Sequence, residues 1–111
     1  MRKTYLLSEE LVHAFDVQEK LKMIIDVNNI KTVEELHEIL KKQLEFPDFY
    51  GMNWAAFWDT ITGLVELPEE LIFKGWVKLE NEIPESCKKM RDLLSKFNKE
   101  FPNLVCNISY Q

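Results

Sequence analysis

Three acidic residues, Asp48, Asp59 and Glu66, are the side chains best suited to chemistry, because they lie close together along the chain. Carboxylates of this kind could act as acid and base on a glycosidic bond or bind a divalent cation. Nothing in their spacing requires them to meet in space. The sequence has no GxGxxG, P-loop, HExxH or GxSxG motif, and its two histidines and two cysteines are scattered. We therefore expect a protein that is not an enzyme and that uses neither a metal nor a cofactor.

The same carboxylates belong to an acidic and aromatic stretch, residues 44–73. This stretch contains six Asp or Glu residues and no Lys, Arg or His, whereas the net charge of the whole chain is only −5. It also contains seven aromatic residues, more than half of the chain's total. Negative charge opposes binding to nucleic acid or to an anionic membrane and favours a basic protein partner.

The length and composition of the chain predict a single soluble domain. Its 111 residues suffice for one domain, and 46% of them are hydrophobic. Cys87 and Cys106 belong to no CxxC pair or Cys/His cluster, so we expect both to be reduced. The N-terminal apolar run is too short for a signal peptide, and no stretch approaches the roughly 20 apolar residues of a membrane span. We expect a cytoplasmic protein.

The first 20 residues are predicted to be an extension of a domain that covers residues 21–111. Residues 5–7 are compatible with a short strand or an arm. Residues 8–15 suit a short helix with Ser8 as its N-cap.

Apolar periodicity predicts a strand and then a helix at the start of the domain. Residues 21–27 form an Ile- and Val-rich run that ends at an Asn–Asn turn, which is typical of a buried strand. Thr32 and Glu35 form a capping box, and Pro47 prevents the helix that they open from continuing. His37 lies beside the apolar face of this helix and is predicted to be a half-buried packing residue.

A second, shorter helix is predicted after a loop that turns at Gly51. Asn53 is a suitable N-cap, and Gly63 occupies the place expected of a C′ glycine. The apolar residues that follow helical spacing are Trp54, Phe57, Trp58 and Ile61.

The remaining elements complete an α/β pattern. We predict a strand over residues 71–73, a short helical turn from Trp76, a long helix from Pro84 to about Glu100, and a strand over residues 103–110. Strands separated by helices favour parallel pairing with right-handed crossovers. The expected architecture is a small three-stranded parallel sheet with about four helices packed mainly on one face.

Asp59 has a distinctive setting on the second helix. It shares a narrow face with Ala55 and Thr62, and the preceding loop supplies Phe49 and Tyr50. A central charge, aromatic anchors and a floor of small residues are typical of a protein interface. A solvated helix face with an isolated aspartate explains the same pattern, and the residues alone leave both interpretations open.

Two segments of the chain resemble the barstar family, intracellular inhibitors of a secreted bacterial ribonuclease. They are IKTVEELHEILKK (30–42) and FPDFYGMNWAAFWDTITG (46–63), and the second contains the specific motif TyrGlyxAsnxxxxTrpAspxxThrGly. The resemblance extends from about Leu21 to Tyr110. It implies a small α/β domain with three parallel strands, in agreement with the predicted order of elements.

The resemblance also implies a function and a binding surface. Barstar-like proteins act as immunity-type inhibitors. A helix and the loop before it occlude the active site of the ribonuclease or related toxin. Asp59 matches the family's central aspartate, which is a known hot spot. The implied partner-binding residues are Phe49, Tyr50, Asn53, Trp58, Asp59, Thr62, Gly63 and Glu66.

The chain departs from the family pattern at several contact positions. Ala55 replaces an acidic contact, Leu64 replaces an aromatic residue, and Phe49 lacks the hydroxyl of the usual tyrosine. A further family acid aligns near Ser95, where no carboxylate is present. A barstar-like binding module with a non-nuclease partner is therefore the alternative hypothesis.

Overall fold

The computed structural model describes residues 21–111 and contains a three-stranded sheet in the order β1-β2-β3. Both pairs of neighbouring strands are parallel. The predicted α/β class and parallel sheet are confirmed. The strands are β1 (Lys22–Asp26), β2 (Glu70–Lys74) and β3 (Asn107–Tyr110).

Four α-helices and one 3-10 helix connect these strands within the described residues. Two helices separate β1 from β2, and two more separate β2 from β3, so the predicted order of elements is confirmed. The helices are α1 (Val33–Gln43), α2 (Trp54–Gly63), α3 (Trp76–Glu82), α4 (Pro84–Glu100) and the 3-10 helix Pro102–Leu104.

The core lies against one face of the sheet. Ile25, Leu71 and Phe73 alternate with outward-facing residues along their strands and are fully buried. Their neighbour Ile24, on the opposite face of β1, is exposed. Successive side chains of a β-strand point to opposite faces of the sheet. The helices of residues 21–111 therefore cover mainly the face that carries the buried residues, as expected.

The helices α1 and α4 begin where local sequence signals predicted that they would begin. The Glu35 N–H donates to Thr32 Oγ1 at 3.1 Å, and the Thr32 N–H donates to Glu35 Oε1 at 3.2 Å, so the capping box is complete. Pro84 occupies the first turn of α4. Its fixed φ suits this position, where a backbone N–H would have no partner inside the helix.

The third strand is shorter than predicted. It begins at Asn107 rather than at residue 103, because Pro102 opens a 3-10 turn in which the Leu104 N–H donates to Phe101 O at 2.8 Å. The prediction therefore extended the strand over a segment whose backbone hydrogen bonds are local.

Several other expectations concern composition and boundaries. Cys87 and Cys106 are both buried and form no disulfide, in agreement with the prediction of reduced thiols. None of the helices between residues 21 and 111 combines the length and apolar character that crossing a membrane requires. The predicted strand at 5–7, the predicted helix at 8–15 and the extension 1–20 lie outside the described residues.

Candidate protein-binding site

Helix α2 has one buried face and one exposed face. Phe57 and Ile61 are buried in the core together with Thr60, whereas Ala55 and Asp59 are exposed. The apolar spacing predicted this division, because residues three and four positions apart share a face of a helix. The Asp59 carboxylate is therefore accessible to a partner.

The start of α2 is fixed by Asn53. Its Oδ1 accepts a hydrogen bond from the Ala56 N–H at 2.7 Å, and its Nδ2 donates to Gly51 O at 3.0 Å. Asn53 is therefore an N-cap, as predicted, and it also closes the loop that precedes the helix. Both polar atoms of the exposed Asn53 side chain are therefore held in a fixed orientation by hydrogen bonds within the chain.

The loop turns at Met52 and not at Gly51 as predicted. Met52 has a φ of 57°, whereas Gly51 has no positive φ. Gly51 is needed for a different reason, since a Cβ there would lie 3.2 Å from the Ala56 Cβ and 3.3 Å from Asn53 Nδ2. Close packing against the first turn of α2 thus explains the glycine.

Tyr50 is directed into the core and not toward the surface. Only 5% of the residue is exposed, and its hydroxyl lies 2.7 Å from His37 Nδ1 and 3.5 Å from Asn53 O. Burial raises the pKa of the Tyr50 hydroxyl, which stays protonated. Tyr50, predicted as a binding residue, therefore holds the loop before α2 in place through these contacts.

His37 is more deeply buried than predicted. It is 1% exposed, and its ring centroid lies 4.4 Å from that of Trp54. A buried polar ring requires a hydrogen-bond partner, and the Tyr50 hydroxyl provides one. Burial lowers the pKa of His37, against a smaller opposing effect of Glu34, so the imidazole is neutral at pH 7.

Phe49 is the most exposed large apolar residue of the described chain, with 76% of its surface accessible. The residues on both sides of it are held by hydrogen bonds. Lys41 Nζ donates to Asp48 O at 3.1 Å, and the Tyr50 N–H donates to Pro47 O at 2.9 Å. The backbone that carries Phe49 is thus anchored on α1 and on its own turn.

The end of α2 differs from the prediction. Gly63 is the last helical residue and does not adopt a left-handed conformation, so its prediction as a C′ glycine is wrong. The Leu64 N–H makes the last regular helical hydrogen bond, to Thr60 O at 3.0 Å, and the Val65 N–H donates to the same oxygen at 3.0 Å, whereas a continuing α-helix would use Ile61 O. Gly63 is exposed, and a Cβ built on it meets no atom within 4 Å.

Thr62, Trp58 and Glu66 are half-buried. The Thr62 hydroxyl donates to Trp58 O at 2.7 Å, so its proton is used inside the helix. Lys96 Nζ lies 4.6 Å from the centroid of the Trp58 ring, which is a cation–π distance. Trp58 therefore links α2 to α4 while part of its surface remains accessible.

The structure does not support a metal site made from the predicted carboxylates. Among residues 21–111, no group of three His, Cys, Asp or Glu side chains is arranged to hold a metal ion. Asp59 is exposed on its helix, Asp48 is exposed in the loop, and Glu66 follows the helix.

Comparison with known protein families assigns the chain to one of them. A family described as Barstar (barnase inhibitor) matches residues 21–107, which is most of the chain. The chain belongs to the barstar family. The match includes every element from β1 to α4 and the first residue of β3.

A curated relative is similar to half of this barstar-family chain. It is the Bacillus subtilis (strain 168) protein named "Putative ribonuclease inhibitor YrdF", which is 47% identical over 55 residues. The matched region covers 50% of this chain and 60% of the relative, so the chain spans less than two thirds of the relative's length.

The predicted site of this barstar-family protein therefore divides into three groups. Phe49, Asn53, Asp59 and Gly63 are exposed along α2 and its loop. Trp58, Thr62 and Glu66 are half-buried, and Tyr50 lies in the core. His37 and Lys96 support this surface. The sequence predicted a packing role for His37, but it predicted neither the contact with Tyr50 nor that of Lys96 with Trp58, because these partners are distant along the chain.

Proposed function

We propose that this barstar-family protein inhibits a ribonuclease or a related bacterial nuclease toxin by occluding its active site. The observation that carries the proposal is the exposed Asp59 on the outer face of α2. The inhibitor would act in the cytoplasm as a 1:1 binder without a cofactor. The family match and the name of the Bacillus relative support a ribonuclease as the class of partner.

Charge mimicry is the proposed mechanism. A nuclease neutralises the phosphates of its substrate with Lys, Arg and His side chains, and a carboxylate in the same place can form charge-assisted hydrogen bonds. The stretch 44–73 has six acidic and no basic residues, so its negative potential would also accelerate the approach of a basic nuclease.

The loop before α2 supports tight binding because it is ordered in advance. The His37–Tyr50 hydrogen bond, the Asn53 cap and the Lys41 contact to Asp48 O fix its conformation. A loop that is already ordered loses less conformational entropy when it binds. Tyr50 would contribute to inhibition through this preorganisation.

A non-nuclease partner is the second candidate, and two exposed apolar residues favour it. Phe49 lies at one end of the surface, and Leu64, 54% exposed, lies at the other. Ala55, between them on the exposed face, carries no charge. These residues would suit an apolar partner surface better than a phosphate-binding cleft.

The two candidates are separated by an inhibition assay. The probe is a panel of purified bacterial ribonucleases that includes barnase, which the family description names, and the readout is cleavage of a fluorescent RNA with wild type, Asp59→Ala and Asp59→Lys. Loss of a hot-spot contact costs at least about 2 kcal/mol, or roughly 30-fold in affinity. Glu82→Ala, an exposed acid on α3, is the control and should inhibit like wild type. Equal inhibition by all four proteins would exclude this surface as the site.

A further inference from the structure

The sheet has a second face, opposite the one on which the core lies. A parallel sheet is almost always covered on both faces. Here the helices of residues 21–111 cover mainly one face, and the other carries a row in which Ile24, Ile72 and Ser109 lie side by side on β1, β2 and β3. Ile24 is 54% exposed, and Ile72 and Ser109 are half-buried. An apolar row on the open face of a parallel sheet is a candidate docking surface.

Charged residues flank this apolar row on both sides. Lys22 lies beside Glu70 near the amino ends of β1 and β2, and Asp26 lies beside Lys74 near their carboxyl ends. All four residues are exposed. They point to the same face as Ile24, because every second residue of a strand shares a face. The order of charges is positive then negative along β1, and negative then positive along β2.

This pattern of charges is complementary to itself. When a second copy packs face to face with its strands running in the opposite direction, a two-fold axis crosses the strands between the two sheets. Ile24 and Ile72 then meet the same residues of the second copy. Lys22 lies opposite Asp26 of the second copy, and Glu70 lies opposite its Lys74. Each charge therefore faces the opposite charge at both ends of the contact.

The same charges disfavour the other symmetric arrangement. A two-fold axis that runs along the strands keeps their direction and places β2 on β2 of the second copy. Glu70 then meets Glu70, and Lys74 meets Lys74. Like charges placed against each other select against a wrong arrangement, so the pattern specifies the antiparallel one.

The carboxylate of Asp26 is oriented by its own chain. Asp26 Oδ1 accepts hydrogen bonds from the Asn28 backbone N–H and from Asn28 Nδ2, both at 2.9 Å. These hydrogen bonds lower the pKa of Asp26, so the group is charged at neutral pH. Both bonds use Oδ1, and Oδ2 can accept a bond from a lysine of a second copy.

We propose that two copies of this chain associate through the open faces of their sheets, with the strands of one copy antiparallel to those of the other. The inference does not depend on the proposed function. Helix α2 packs on the opposite face of the sheet through Phe57 and Ile61, so each copy keeps the surface that carries Asp59 accessible.

The size of the face sets the strength of the dimer. A standard interface buries about 800 Å² on each partner. Three strands that lie about 4.8 Å apart and are about 17 Å long form a smaller face. The dimer is therefore weak, and its population depends on the protein concentration.

Sedimentation velocity of the full chain, between about 20 μM and about 1 mM, tests the association. The mean sedimentation coefficient should rise with concentration. Ile24→Lys should raise the dissociation constant about tenfold or more, because it places a charge at the centre of the contact. Val77→Lys adds the same charge at an exposed apolar position of α3 and should leave the dimer unchanged.

Charge reversals test the register of the two sheets. Glu70→Lys places a positive charge against Lys74 of the second copy, and Lys74→Glu places a negative charge against its Glu70. Each variant alone should be monomeric over the same range. An equimolar mixture of the two variants should form heterodimers, because opposite charges then face each other at both ends of the contact.

Three results would overturn the proposal: a monomer at every concentration, equal effects of Ile24→Lys and Val77→Lys, or a mixture that is no more dimeric than its components. If residues 1–20 or another protein occupy the face instead, the full chain stays monomeric and Ile24→Lys changes only its thermal stability. Far-UV circular dichroism checks that each variant is folded. The Asp59 assay decides the proposed function separately, since none of these variants alters α2.

Discussion

The Nδ1 atom of His37 lies 2.7 Å from the hydroxyl oxygen of Tyr50, and both side chains are buried. The pair joins α1 to the loop before α2, across 13 positions of sequence. We expect this pair to affect both the stability of the loop and the response of the protein to pH.

We predict that the protein loses stability as the pH falls below about 6.5. Burial lowers the pKa of His37 in the folded state, so the unfolded chain takes up a proton first. The free energy of unfolding should therefore decrease as the pH falls from the unfolded pKa to the folded one, by at most about 1.4 kcal/mol per pH unit. Urea unfolding at pH 7, 6 and 5 measures this dependence.

The His37→Gln variant should be less stable at pH 7 but should show a flatter pH dependence between pH 7 and 5. His13→Gln removes the other histidine of the chain and isolates its contribution. If the slope persists in His37→Gln and disappears in His13→Gln, the buried imidazole is not the source.

We predict that Tyr50→Phe destabilises the protein by about 1–3 kcal/mol, because it leaves the buried His37 ring without its hydrogen-bond partner. Phe49→Ala, one residue away, should change stability by less than about 0.5 kcal/mol, since Phe49 is exposed. Chemical denaturation measures both. Equal stability of Tyr50→Phe and wild type would show that the hydroxyl is dispensable.

Two glycines, Gly51 in the loop before α2 and Gly63 at its last position, provide a matched pair of substitutions. Gly51→Ala should destabilise the protein by about 1–3 kcal/mol, because its Cβ would press on Ala56 and Asn53. Gly63→Ala should be neutral or stabilising by up to about 1 kcal/mol, since the site is helical and open and alanine favours a helix. Thermal unfolding compares the two, and the reverse order of stabilities would contradict this explanation.

Features that depend on neighbours in sequence were predicted well. The capping box of Thr32 and Glu35, the Asn53 cap and the Pro84 start all involve hydrogen bonds or steric effects within a few residues. The three parallel strands followed from the alternation of apolar runs with helical patterns. The apolar period of α2 likewise separated the buried Phe57 from the exposed Asp59.

Features that depend on distant residues were not predictable. Tyr50, in the loop before α2, points inward because its hydroxyl contacts His37 on α1. The Trp58 ring is likewise partly covered by Lys96 of α4. Gly63 was assigned to a cap because a glycine after an apolar period is typical of one, but here the helix includes Gly63 and its C-cap is Leu64. One residue type can satisfy different physical requirements, and its neighbours in space decide which applies.

The two faces of α2 have a consequence for how such inhibitors diversify. Ala55, Asp59 and Gly63 face outward, whereas Phe57 and Ile61 hold the helix on the core. Under the proposed function, substitutions at the outward positions would change the recognised partner while the packing of the domain is conserved. Partner recognition and stability would then depend on interleaved positions of one short helix, so single substitutions would change the partner and leave the fold intact.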